Sequence, residues 1–216
     1  MTPEAIFDFT RAARTGLAEA IFCEGKTPAQ IASIIENAQG RLRTLLLTRL
    51  SEEAFAALPK AIQKKANYDP LSRTAVMGEI PEAKGPARAV IVTAGTADVP
   101  VAKEAARTLA CCGHAVDEVY DIGVAGLWRL LDRVDELSKY DVLIMVAGMD
   151  GAIFSVLGGL VPGAIIAVPT STGYGASRKG ETALHSALAS CAPGIVAVNI
   201  DSGYGAACAA ARMLRT

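Results

Sequence analysis

The sequence predicts an α/β protein. A three-layer α/β/α domain on a parallel sheet occupies residues 86–216, behind a smaller, mostly helical N-terminal segment over residues 1–80. Three observations carry this. Half of the 216 residues are hydrophobic but only 5% are aromatic, and an excess of Ala, Val, Ile and Leu suits close-packed helices on a buried parallel sheet. The run from Gly78 to Pro86 (Gly-Glu-Ile-Pro-Glu-Ala-Lys-Gly-Pro) has the punctuation of a linker. Beyond it, short β-branched runs alternate with helical segments. That rhythm implies right-handed crossovers and a flavodoxin- or Rossmann-like sheet with helices on both faces.

Before the linker, Ala5–Ala13 reads as a helix. So does Pro28–Ala38, entered through Thr27 with Pro28 at the first position. Arg43–Leu50 is apolar and fits either helix or strand, and Glu52–Leu58 is helical. After the linker, Arg88–Thr93 is a strand. Asp98–Cys112 is a helix with Val101, Ala102, Ala105 and Leu109 on its buried stripe and Lys103, Glu104 and Arg107 opposite. The remaining strands are Ala115–Tyr120, Val142–Ala147, Ala164–Val168 and Ile195–Ile200. The helices between and after them are Gly126–Val134, Gly151–Gly159, Gly180–Ala189 and Tyr204–Leu214.

Composition narrows the function classes. A formal net charge of −1 leaves no electrostatic footprint for nucleic acid or an anionic membrane. The apolar stretch Ala152–Val168 is broken by Gly158, Gly159, Pro162 and Gly163, so no span crosses a membrane, and no secretory pattern opens the chain. Five cysteines, an odd number without C-x-x-C spacing, argue against disulfide scaffolding and structural zinc and for a reduced, cytoplasmic setting.

In an open parallel sheet, ligands bind outside the carboxyl ends of the strands. Here five successive ends carry glycine, most with a hydroxyl or carboxylate: Thr93–Asp98, Asp121–Gly126, Ala147–Gly151, Pro169–Gly175 and Asn199–Gly205. Turns between strand and helix need glycine anyway, but five on one edge, with two Gly-Tyr-Gly triplets, predict a pocket for a phosphorylated small molecule. Neither G-x-G-x-x-G after the first strand nor a P-loop is present. Asp98, Asp150 and Asp201 read as N-caps, a general base or metal ligands. Trp128 reads as packing or as a stacking wall. Cys208, near the start of the last helix, reads as a dipole-stabilised thiolate or as a small core hydrophobe; position alone favours the second.

These loops also carry a likeness. Thr93-Ala-Gly-Thr-Ala-Asp98, Gly148-Met-Asp-Gly-Ala152 and Val168-Pro-Thr-Ser171 resemble the carboxylases and mutases acting on aminoimidazole ribonucleotide. The longer runs Pro169–Ser177 and Asn199–Ala207, with Asp8–Gly16, Glu19 and Phe22–Lys26 near the N-terminus, are closer to the LarB family of nickel-pincer cofactor biosynthesis. Trp128 stands where the family's histidine is expected, and Ser202 and Tyr204 where Asn and Phe are. The resemblance implies a pyridinium-3,5-biscarboxylic acid mononucleotide synthase, a carboxylase and hydrolase. Such an enzyme carboxylates nicotinic acid adenine dinucleotide at ring C5 and cleaves its pyrophosphate to release AMP. It implies Cys208 as the residue that adds to the ring, with Asp98 as a catalytic partner. The substrate would lie against Thr93, Gly95 and Thr96, then Gly148, Met149, Asp150 and Gly151, then Ser171, Tyr174 and Gly175, and finally Asn199, Asp201, Gly203 and Tyr204. Carbon dioxide or bicarbonate would be co-substrate and Mg2+ would accompany the dinucleotide, with no tightly bound cofactor. The family forms homo-oligomers, and its basic positions match Arg11, Arg14 and Lys26. Two alternatives are a ribonucleotide carboxylase or mutase of purine synthesis and a non-catalytic nucleotide-binding domain.

Overall fold

The fold is that of a computed structural model, which describes residues 6–38 and 40–215. The chain divides into two compact units: Met1–Glu82 with Cys111–Gly113, and Ala83–Ala110 with His114–Thr216. Among the described residues, no helix is long and apolar enough to cross a membrane.

The first unit is built on a four-stranded sheet, which corrects the expectation of a mostly helical segment. It contains α1 (Arg11–Thr15), β1 (Ala20–Phe22), α2 (Pro28–Ala38), β2 (Thr44–Thr48), α3 (Glu52–Ala56), α4 (Lys60–Lys65), β3 (Ala66–Asp69) and β4 (Thr74–Gly78). The strand order is β1-β2-β4-β3, with β1 parallel to β2 and the other pairs antiparallel. Strands of three to five residues offer too little alternation to be read alone, and their stability comes from pairing and from the helix that covers them. That helix is α2, whose buried Ile31, Ile34 and Ile35 pack with Leu45 and Leu47 of β2. It starts in a capping box: Gln30 N–H donates to Thr27 Oγ1 at 3.2 Å, and Thr27 N–H donates to Gln30 Oε1 at 3.0 Å. Of the helix expected over Ala5–Ala13, Ala5 lies outside the described residues. The chain reaches helical geometry only at Arg11, and Gly16 closes α1 in the left-handed region at φ 75°.

The second unit carries β5 (Ala89–Thr93), α5 (Val99–Cys111), β6 (Val116–Val119), α6 (Leu127–Leu131), α7 (Val134–Leu137), β7 (Val142–Ala147) and α8 (Ala152–Gly158). It continues with β8 (Ala164–Pro169), α9 (Glu181–Leu188), β9 (Ile195–Ala197) and α10 (Gly203–Met213). All pairings are parallel, in the order β6-β5-β7-β8-β9. Strands β5 and β7 are buried along their whole length, as a central strand covered on both faces must be. Leu143, Met145, Ile165 and Ala167 meet Leu130, Ile153, Phe154 and Ala183 from α6, α8 and α9 in one core cluster. Helix α10 packs on β7 and β8, with Ala206, Ala207, Ala210 and Ala211 buried. The chain leaves β5 for β6 on one side and returns to β7 on the other, so the topological switch point lies between β5 and β7. The crevice for a ligand is at their carboxyl ends.

Three local readings are corrected. The helix expected over Gly126–Val134 is two short helices, α6 and α7. The last strand stops at Ala197, not Ile200. On α5, Glu104 is buried at 3% exposure while Val101 is only partly buried. A carboxylate there has a partner across the interior, described next.

Candidate active site

The strand-end loops are tied to one another by a short chain of hydrogen bonds. Thr93 closes β5; its Oγ1 accepts from Asp121 N–H at 3.1 Å and its carbonyl accepts from Ile122 N–H at 3.1 Å. This draws the loop after β6 onto the end of β5. The next turn folds back on Asp98, whose Oδ2 accepts from Gly95 N–H at 3.0 Å and whose Oδ1 accepts from the Thr170 hydroxyl at 2.6 Å. Gly148 N–H and the Thr172 side chain also bond this carboxylate. Asp98 is 3% exposed. Burial raises its pKa above the ordinary carboxylate value, against the lowering effect of those four donors. In this structure Asp98 is a bracket between the loops after β5, β7 and β8 rather than a carboxylate open to solvent.

Gly148 is required by that close approach: a Cβ there would fall 2.3 Å from the Thr172 carbonyl oxygen. Met149, at φ 54°, donates its N–H to the same oxygen at 2.9 Å. The loops after β8 and β9 are joined by Asp201, which accepts from Ser171 N–H at 2.8 Å and donates its own N–H to the Pro169 carbonyl at 2.8 Å. Thr93, Gly95, Asp98, Gly148, Met149, Ser171 and Asp201 therefore form one connected rim.

The other expected site residues are placed around it; of these, Gly151 N–H donates to the Gly148 carbonyl at 3.1 Å and Gly203 N–H to the Asp201 carbonyl at 3.2 Å. Thr96 is exposed on a single 3-10 turn. Asp150 is exposed and accepts from Ala152 N–H at 3.1 Å, and Gly151 caps α8 at φ 68°. The two Gly-Tyr-Gly triplets serve different ends. Gly173–Gly175 is an exposed loop with Tyr174 at 81% exposure, whereas Gly203–Gly205 is the first turn of α10. Beneath the first triplet, Ser177 Oγ is buried without a hydrogen-bond partner, and Arg178 and Lys179 after it take left-handed φ values of 46° and 54°. Asn199 is exposed and folds back on Ile200 N–H at 2.9 Å. Trp128 is 67% exposed and so is not packed within this chain, contrary to the reading of it as packing.

Gly203 meets α5 so closely that a Cβ would lie 2.3 Å from the Val101 carbonyl oxygen. There the buried Glu104 Oε2 accepts from Tyr204 N–H at 3.2 Å. That N–H at the start of α10 is therefore already satisfied inside the chain and is not on offer to a phosphate at that end. Cys208, in the second turn of α10, is partly buried. Cys191 is exposed, between α9 and β9, at the opposite edge of the sheet from the strand ends. Cys23, in the first unit, is buried, and burial pushes its thiol up to about 12. Among the described residues no group of three or more His, Cys, Asp or Glu side chains could hold a metal ion.

Four further residues take part in this geometry: Glu104, Thr170, Thr172, and Arg129, whose Nη1 donates to Asp121 Oδ2. The two threonines were visible, since they flank Ser171 in a quoted run. Glu104 reads from the sequence as part of the polar face of its helix, and no motif in the sequence singles out Arg129.

Comparisons with known proteins follow the two units. The profile of the LarB/PurE-like N-terminal domain matches residues 2–79, and that of AIR carboxylase matches residues 88–216. The uncharacterized protein MJ0165 of Methanocaldococcus jannaschii is 37% identical over 208 residues, covering 92% of this chain and 79% of that protein. Crystal structures of Treponema denticola PurE and of a PurE2 variant from the same organism each align with a TM-score of 0.50 at 22% identity, over 60% of this chain and 80% of theirs. At that identity the likeness is one of fold.

Proposed function

The chain belongs to the LarB family, related to the AIR carboxylases and mutases, and on that premise we propose that it carboxylates the pyridinium ring of nicotinic acid adenine dinucleotide and hydrolyses the pyrophosphate. It is a carboxylase-type enzyme of the AIR carboxylase family. The observation that supports a nucleotide substrate is the connected rim of glycine, hydroxyl and carboxylate loops at the β5–β7 switch point.

The proposed chemistry balances without an oxidant. A cysteine thiolate adds at C4 of the pyridinium, giving a neutral dihydropyridine. Its C5 is then an enamine carbon, and its electron pair forms the new bond to carbon dioxide. A base takes the C5 proton, and expulsion of the thiolate restores the aromatic ring. Water then cleaves the pyrophosphate and AMP departs. Among the described residues no three His, Cys, Asp or Glu side chains come together as ligands, so the donor set does not fit a resident cation.

Cys208 is the thiol assigned to this role, through its place on the helix that follows the Asn199–Gly205 loop; Cys191 is the competing thiol, exposed but on the other edge. The test is incorporation of labelled bicarbonate, with intact-mass mapping of a trapped adduct, in wild type, Cys208→Ser and Cys191→Ser. Cys208→Ser is expected to lower carboxylation at least about a thousandfold, with the wild-type adduct on Cys208. An adduct on Cys191 would move the role there and keep the mechanism. Carboxylation of aminoimidazole ribonucleotide with no adduct would favour the purine reading.

A further inference from the structure

We propose that residues 173–180 are a strap that closes over the strand-end site when a nucleotide binds, bringing Tyr174, Arg178 and Lys179 onto it. This deepens the nucleotide reading above and rests on it. The strap leaves β8 beside the Ser171–Asp201 contact of the rim and leads into α9. Its two ends are fixed. At one, Met149 N–H donates to the Thr172 carbonyl at 2.9 Å. At the other, a Cβ on Gly180 would fall 2.7 Å from the Thr170 carbonyl oxygen and 2.8 Å from Ile200 Cγ2. Glycines stand at both ends, Gly173 at φ 136° and Gly180 at φ 96°, where a hinge must absorb a large backbone rotation.

The conformation seen here carries two costs. Arg178 and Lys179 are consecutive non-glycine residues in the left-handed region, at φ 46°, ψ 47° and φ 54°, ψ 40°. Residues with a Cβ visit that region seldom, and then singly. Ser177 Oγ is buried with no hydrogen-bond partner among the described residues. Gly173 lies directly on it, since a Cβ there would be 2.6 Å from that oxygen and 3.3 Å from Met149 Sδ. A hydroxyl shut away from water without a partner destabilises the arrangement that buries it. A second arrangement of the same eight residues relieves both costs, and strain of this kind gathers at ligand clamps and switch regions. The present one is held by local bonds, from Ser177 N–H to the Tyr174 carbonyl at 3.1 Å and from the Thr182 hydroxyl to the Ala176 carbonyl at 2.6 Å.

A ligand closes such a strap only by binding the closed form better than the open one. The side chains of the strap supply that difference. Tyr174 holds its ring out in solvent. Arg178 and Lys179 are exposed, and among the described residues neither has an ion-pair partner. Asp98, Asp150 and Asp201 bring negative charge to the same strand ends, so a polyanionic substrate gains from two cations that arrive with the strap. A planar base likewise gains from an aromatic ring laid against it. In the conformation seen here, the ring and both charges are spent on water.

The test is limited trypsin digestion of the full chain in bicarbonate-free buffer, with and without nicotinic acid adenine dinucleotide at a concentration that calorimetry shows to saturate. Trypsin cuts after Arg178 and Lys179, and the exposed Lys84 ahead of β5 is the internal control. The dinucleotide is expected to slow cleavage after Arg178 and Lys179 at least about tenfold and to leave cleavage after Lys84 unchanged. Ser177→Ala removes the orphan hydroxyl of the open form. It should raise the melting temperature of the free protein while lowering dinucleotide affinity about threefold to tenfold and weakening the protection. Tyr174→Ala should keep the melting temperature and lose about tenfold in affinity. Unchanged cleavage after Arg178 and Lys179 at saturation overturns the strap, and so does equal slowing after Lys84, which marks general stabilisation. Full affinity and full protection in Ser177→Ala overturn it as well, since the hydroxyl is then a packing defect without a second state. Wild type that binds no dinucleotide in calorimetry overturns the nucleotide reading itself, and the strap with it.

Discussion

Asp98 closes the first turn after β5 and is held there by hydrogen bonds from three strand-end loops. The sequence puts an aspartate at the end of the first loop after the linker, where an N-cap and a general base look alike. The fold buries it, and four donors from three loops converge on it. Because burial outweighs those bonds, its folded pKa lies above the unfolded value of about 3.9. A carboxyl of this kind holds its proton more tightly in the folded state. Its contribution to stability is therefore fully present below the unfolded pKa and is lost as pH rises through the raised folded one. Asp98→Asn removes that titration but lacks acceptors for all four donors, so the variant is less stable throughout. The gap in melting temperature between wild type and variant is expected to narrow as pH rises through this window. A gap of constant size in pH-stepped melting would refute the linkage. The role was not legible because it depends on Thr170 and Thr172, more than seventy positions away.

At the scale of elements, legibility followed burial on two faces. The runs of β5, β7 and β8 are short, β-branched and buried on both sides, so composition alone marks them and their adjacency follows from the crossover rule. Strands β3 and β4 carry Asn67, Asp69 and Thr74 and pair as a hairpin; their identity comes from a partner, and no window of sequence contains it. The α5–α10 contact is another such case. Glu104 looked like one of the solvated charges of an amphipathic helix, yet it meets Tyr204 N–H one hundred positions later. Removing it in Glu104→Ala leaves a buried N-terminus of α10 without this acceptor, at an expected cost of about 1.5–3 kcal/mol. Glu104→Gln keeps an acceptor oxygen and should lose less than half of that. Chemical denaturation of both variants measures the difference, and equal losses would mean that packing, rather than the bond to Tyr204, holds the helix start.

For the whole molecule, the exposed apolar side chains bear on assembly. Leu127 and Leu131 stand one turn apart on α6 with Trp128 between them, at 42%, 50% and 67% exposure. Three large apolar groups together on one short helix form a contiguous patch, unlike the scattered single exposures common on monomers. Both β6 and β9 are outer strands of their sheet with one neighbour each, yet each is only three or four residues long. Short edges discourage strand-to-strand association, which points to helix faces as the contact between copies. A second copy of this chain, related by closed symmetry, is the simplest cover for such a patch. Light scattering at micromolar concentration is therefore expected to give a multiple of the 22.4 kDa chain mass. Leu127→Glu combined with Leu131→Glu places two charges in the patch while leaving Arg129 and its partner Asp121 in place, so the mass should fall toward that of one chain with the circular dichroism spectrum unchanged. A wild-type particle of 22.4 kDa, or a double variant that keeps the wild-type mass, would exclude α6 as the contact.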